Sequence, residues 1–306
     1  ALFQNIRTAL QKHLKGRLDT TGATYARFLY AVPFTWVYLA LIVQVGVTSS
    51  NPAYGFPETN SSFFSFVVIG GLAQILATFL LVWLFGQRNF AVGTSLTKTE
   101  AIQTALFGFV LLGDTLSIQA LIGILISLAG VIALYKFNKE NTLVKASQNF
   151  NPAQIFKKLI TQDTSIIPGI AAGGLFAVSA VAYRAASLSL DGDGFVIQSA
   201  YTLVWVTGFQ TITMGVYILI TKPATFMKVL NCWRAAIWIG LTGMLGSAGW
   251  FAAMTLESAA HVRTLGQIEL IFTLIISYVF FKEQPSRREL FGMLLITAGI
   301  ILLLVE

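Results

Sequence analysis

An all-α integral membrane protein of ten helices, forming two inverted five-helix repeats, is the fold class this sequence predicts. Three observations carry it. Of 306 residues, 56% are hydrophobic and 11% charged, with a mean hydropathy of +0.74; an ordinary soluble domain carries about 25% charged residues. Apolar runs near the roughly 20 residues needed to cross a bilayer recur almost end to end. Residues 91–134 also align with 260–303 at a constant offset of 169, matching at 14 of 44 positions without a gap.

The runs place spans near 22–47, 62–86, 91–112, 117–136, 166–189, 195–221, 235–256, 259–281 and 287–305, behind an amphipathic opening at 1–14. That opening is too short to cross. It reads either as a helix lying on the membrane surface or as the end of a first span that begins before Ala1. Five spans in the second copy favour the latter. The domains expected are a first repeat over 1–137 with an incomplete first helix, a cytoplasmic linker over 138–165, and a second repeat over 166–306. Within the linker, Asn151-Pro152 opens a segment with Ile155, Phe156, Leu159 and Ile160 on one face and Lys157 and Lys158 on the other. It fits an interfacial helix as well as it fits a solvated connection.

Charge gives the orientation. With 1–14 taken as the first of ten spans, loops after odd-numbered spans hold 15 of the 20 basic residues, and loops after even-numbered spans hold none. The even loops carry Glu58, Asp114, Asp191, Asp193 and Glu257 instead. Lys and Arg mark the cytoplasmic side, so odd loops are expected inside and both termini outside. An odd number of spans per half inverts the second half, and the loop charges agree: Asp114 lies at the turn equivalent to the basic Lys282–Arg288 turn.

One cysteine, Cys232, excludes an intrachain disulfide, and two histidines leave no Cys/His metal cluster. The net charge of +7 is spread as a membrane protein would spread it, so nucleic acid is not expected as a partner. No cofactor is expected.

Three charges fall at mid-span: Lys98, Glu100 and Glu269. Glu100 lies twelve residues after Arg88 and thirteen before Gly113; Glu269 lies twelve after Glu257 and thirteen before Lys282. A charge at the bilayer centre costs about 2.5–3.5 kcal/mol on insertion scales. One base cannot neutralise two acids, so pairing Lys98 leaves a carboxylate over. Residues two apart on a helix diverge by about 200°, so Lys98 is expected to face another helix or a cavity rather than Glu100. Arg7 lies about two turns from a span end. Arg27, Arg184 and Arg263 lie near span ends, where their stems could snorkel to the interface. Thr94, Ser95, Thr97, Thr99, Gln103 and Thr104, with Thr264, Gln267 and Thr273 in the second copy, are too polar for a lipid-facing helix and suggest a water-accessible path. The candidate substrate or proton path is therefore Glu100, Glu269, Lys98, Thr97, Gln103, Gln267, Arg7, Arg184 and Arg263. The same charges also fit a purely structural clamp between helices.

Gly240, Gly243, Gly246 and Gly249 recur every third residue. They suit close helix packing or a bendable element. Most tryptophans are expected to be lipid-facing anchors, with Trp205 and Tyr201 as candidate cavity residues.

The stretch RTLGQIELIFTLIISYVFFKEQPSRRELFGMLLITAGIILLL resembles the closing segment of each half in the EamA-like branch of the drug/metabolite transporter superfamily. The elements are Glu283, Gly292 and Ala298-Gly299 in the second half, and Asp114, Gly123 and Ala129-Gly130 in the first. The family usually carries glutamate where Asp114 stands. The residues joining the first two spans, RTALQKHLKGRL and ATYARFLYAVPF, resemble the family as well. The resemblance implies ten helices, a central cavity and alternating access in the bacterial cytoplasmic membrane. The expected function is secondary transport of a small organic metabolite, an amino acid or similar amphoteric compound among the candidates. Export and proton coupling are expected, with the lipid bilayer and a small-molecule substrate as partners and no enzymatic activity. An integral-membrane enzyme or a non-transporting scaffold are the alternatives; neither the oligomeric state nor the substrate can be read from the residues.

Overall fold

The computed structural model describes residues 1–49, 56–87, 90–107, 118–133, 165–191, 194–257, 262, 266, 269–282 and 287–304, and among them the chain is helical with no strand. The expected linker helix at 151–160 and the turn residues Asp114 and Glu283 lie outside the described residues. The helices are α1 (Leu2–Leu14), α2 (Thr20–Leu29), α3 (Val32–Ser49), α4 (Ser61–Leu84), α5 (Phe90–Thr97), α6 (Glu100–Phe107) and α7 (Ile118–Ala133). After them come α8 (Ile166–Leu188), α9 (Phe195–Thr221), α10 (Pro223–Asn231), α11 (Trp233–Leu256), α12 (Glu269–Val279) and α13 (Arg287–Leu304). Five stretches are long and apolar enough to cross a membrane: Thr20–Val45, Ser61–Leu84, Ile166–Leu188, Phe195–Thr221 and Trp233–Leu256.

Local chemistry sets the starts and breaks. The Asp19 carboxylate accepts from the Gly22 N–H at 2.8 Å to open α2, and Asn60 does the same for Phe63 to open α4. The predicted 22–47 span is broken at Tyr30–Ala31. Pro33 explains it: it has no N–H for the Leu29 carbonyl, and its ring crowds that oxygen. The predicted 91–112 span is likewise broken at Lys98–Thr99, between α5 and α6.

Lipid chains offer no hydrophobic drive for helix association, so close packing and polar contacts hold such bundles. α4 packs along α8, α7 along α13, and α1 along α11. The α7–α13 seam is tight at Gly130, where an added Cβ would come within 2.7 Å of the Gly292 carbonyl and the Ile296 amide. The α11 glycines serve the same purpose. A Cβ at Gly240 would collide with the Tyr30 carbonyl, one at Gly243 would lie 3.3 Å from Arg7 Cδ, and one at Gly246 would lie 3.3 Å from the Gln4 amide, whereas Gly249 faces open space.

Two apolar clusters bracket α4. Leu14, Leu18, Tyr25, Phe28, Met214 and Ile218 gather near its end at Val82, while Tyr183, Leu203, Val206 and Phe251 gather near its start at Phe63 and Val67. Gln74 lies between them. Val68, Leu72 and Leu76 of α4, with Ile212 and Val216 of α9, are exposed and make a lipid-compatible outer surface.

Candidate functional site: a buried charge cluster beside a polar cleft

Among the described residues, the buried charged side chains are Arg7, Arg27, Lys98, Glu100 and Glu269. Lys98, at the α5–α6 break, forms an ion pair and hydrogen bond with Glu269, the first residue of α12. Its ammonium also lies 4.0 Å from Glu100, the first residue of α6. The divergence expected of residues two apart belongs to an unbroken helix; the break at Lys98–Thr99 lets both face one point. Glu100 thus opens a helical segment, where the first-turn N–H groups and the helix dipole favour a carboxylate, and Glu269 is the first described residue of its own helix.

The two copies also share a local fixture. Thr104 Oγ donates to the Glu100 carbonyl at 2.8 Å, and its counterpart Thr273 donates to the Glu269 carbonyl, 2.9 Å away. In the second copy alone, Asn5 of α1 ties in: its amide donates to the Glu269 carbonyl at 3.0 Å, and its oxygen lies 2.7 Å from the Thr273 hydroxyl. Arg7, one turn along α1, is 2% exposed, donates to Thr8 Oγ at 3.1 Å and feels the Glu269 charge at longer range.

The other expected site residues divide. Thr97 is buried and bonds to the Thr94 carbonyl of its own helix. Gln103 reaches the Ile170 carbonyl of α8 at 2.9 Å. Thr94, Ser95, Thr99 and Thr104 are buried as well, so this polar run faces α8 and the charge cluster rather than lipid. Arg184 lies at the rim, where it donates to the Met254 and Glu257 carbonyls and closes the end of α11. Gln267 and Arg263 lie outside the described residues.

A narrow cleft reaches Arg27, in two lobes that share Arg27, Gln74, Ser247 and Phe251. It admits water-sized occupants, and anything larger requires its walls to part. Its walls come from α1, α2, α3, α4, α8, α9 and α11, and so from both halves of the chain. Here a sequence expectation is corrected. Arg27 does not snorkel; it is 5% exposed, donates to Thr78 Oγ at 2.6 Å and lies 5.2 Å over the Phe28 ring. Its nearness to a span end did not decide the matter, because its side chain leaves α2 toward the bundle.

Opposite Arg27 stands an amide–phenol group that sequence reasoning missed. Gln210 donates to Gln74 Oε1 at 2.8 Å and to the Tyr183 hydroxyl at 3.1 Å, and that hydroxyl lies 3.0 Å from Gln74 Oε1 and 2.9 Å from the Gly70 carbonyl. Glutamines in otherwise apolar spans were the signal available. A second correction concerns the aromatics: Trp250 lines the cleft, whereas Trp205 and Tyr201 join Phe63 in an outer aromatic group, with Trp205 41% exposed.

The chain thus has five stretches long and apolar enough to cross a membrane, with charged and amide side chains turned inward around a cleft lined from both halves. Residues 166–305 match the model of the EamA-like transporter family. Over that segment the resemblance carried by the repeated stretch is borne out, and it is consistent with the drug/metabolite transporter superfamily. A solved structure described only as "Crystal structure of protein" is similar over 99% of this chain and 96% of its own, at 16% identity and a TM-score of 0.53; this likeness speaks to the fold. No curated protein matches the chain.

Proposed function

We propose that the chain is a secondary transporter that carries a small organic metabolite across the bacterial cytoplasmic membrane by alternating access between two inverted repeats. The observation that carries this reading is the cleft, a partly polar space walled by both halves; a buried ion pair elsewhere in the bundle also joins them. The pairing of helices supports the inverted arrangement. At the offset of 169, α1 falls on α8 and α4 on α11; α4 packs on α8, and α1 packs on α11. Rocking one half against the other would open the narrow cleft alternately at its two apolar ends, with odd-numbered loops on the cytoplasmic side.

In this reading Glu100 and Glu269 handle the coupling proton. Protonating Glu269 releases Lys98, which leaves a contact between the halves weaker and gives the bundle a reason to change state. Export is the direction proposed, by family resemblance. The test is uptake into proteoliposomes of a radiolabelled metabolite panel under an imposed pH gradient, with wild type beside Glu100→Gln and Glu269→Gln. Gradient-driven flux lost or uncoupled in either variant is expected. Wild-type flux in both variants would remove the carboxylates from the mechanism, and no flux of any compound under any gradient would remove transport.

A further inference from the structure

We propose that the cleft receives the anionic end of its substrate, a carboxylate, on the guanidinium of Arg27; this rests on the transporter reading above. Three features lead there. The first is the lining. Among the described residues, Arg27 is the single charged group on the walls of both lobes, and the rest is amide, hydroxyl, aromatic and aliphatic.

The second is unused donor capacity. A guanidinium carries five N–H donors in a planar fork that matches a carboxylate. Arg27 donates through Nη1 to Thr78, the one hydrogen bond its guanidinium makes among the described residues. Gln74 adds to this: its oxygen is engaged by Gln210 and Tyr183, which leaves its amide N–H groups as the donor face. Donors therefore converge where an acceptor-only group would sit.

The third is charge balance. The mid-span residues Lys98, Glu100 and Glu269 read alone leave a surplus carboxylate, but burying Arg7 and Arg27 reverses the sign. Among the described residues, three buried cations face two buried carboxylates, and both carboxylates are gathered at Lys98, neither of them on the cleft lining. Of the three cations Arg27 is the one that lines the cleft, so positive charge without a carboxylate beside it faces that space. A buried cation without a counter-charge is costly, and a bound carboxylate supplies that counter-charge only while substrate is present. Phe28, Phe176, Phe251 and Trp250 would then take the apolar remainder of the molecule.

The experiment uses the full chain in lipid nanodiscs, with matched probes differing in one group: benzoate, benzamide and benzylamine, and propionate, propionamide and propylamine. Binding is read by Trp fluorescence and by the shift in unfolding temperature, with chloride alone as a further arm. The expected result is that a carboxylate binds at least tenfold more tightly than its amide and amine. Arg27→Lys should weaken it, Arg27→Gln should abolish it, and Arg184→Met should leave it unchanged. Amides or amines binding as well as carboxylates, chloride as the sole ligand, or no binding at all overturns the assignment on wild type alone, whether or not the Arg27 variants fold. Unchanged carboxylate binding in Arg27→Gln overturns it too. Flux of an amine or amide probe in proteoliposomes without carboxylate binding sinks this assignment and leaves transport standing. Carboxylate binding without flux of any compound does the reverse.

Discussion

Lys98 and Glu269 lie 171 positions apart in sequence and meet as a buried ion pair. One side comes from a break between two helices and the other from the first residue of a third. The pair joins two copies of one repeated segment through residues that differ between them, since Lys98 aligns with Gln267.

Removing one member of this pair strands the other. Glu269→Gln or Lys98→Gln should each cost about 3–5 kcal/mol, the range for breaking a buried pair on one side. The double variant should recover a large part of that loss. A double-mutant cycle on thermal unfolding in detergent measures it, and additive losses would mean the pair is not coupled.

Gly130 permits the α7–α13 seam. Gly130→Val drives a side chain into the Gly292 carbonyl and the Ile296 amide, and overpacking of this kind costs about 1–3 kcal/mol. Gly249→Ala in α11 meets nothing within 4 Å, so it should be neutral or gain up to about 1 kcal/mol from helix propensity. Unfolding temperatures of the two variants should move in different directions or at least by different amounts.

Tyr183→Phe removes the hydroxyl shared by Gly70, Gln74 and Gln210. Leaving those buried groups short of a partner should cost about 1–3 kcal/mol. The change is also expected to raise the half-saturation for flux, because Gln74 loses one of the two donors that orient it. Parallel unfolding and transport measurements separate the two effects.

Arg184→Met tests the opposite expectation. Its hydrogen bonds go to the Met254 and Glu257 carbonyls at the end of α11, so stability should fall by about 0.5–2 kcal/mol, the scale of helix-end interactions. Transport selectivity should not change. A changed preference among substrates would place Arg184 in the path.

Much of this arrangement was legible in the residues. The repeat, the membrane class and the mid-span positions of Lys98, Glu100 and Glu269 follow from spacing and composition alone. Pairing did not follow, because a helical wheel assumes an unbroken helix, and the break at Lys98–Thr99 carries no proline or glycine to announce it. Arg27 was misread because distance along the chain to a span end says nothing about which way a side chain faces. Gln74 and Gln210 carry no charge and lie outside the repeated stretches 91–134 and 260–303.

The α7–α13 seam has a consequence for how such a chain could arise. Its two sides are copies of one stretch, so a half-length precursor would already carry both surfaces and could dimerise through them with a second molecule. Joining two such precursors in one chain would convert an encounter that depends on concentration into a permanent contact. It would also free each side to drift, and the Lys98/Gln267 difference is what that freedom leaves behind.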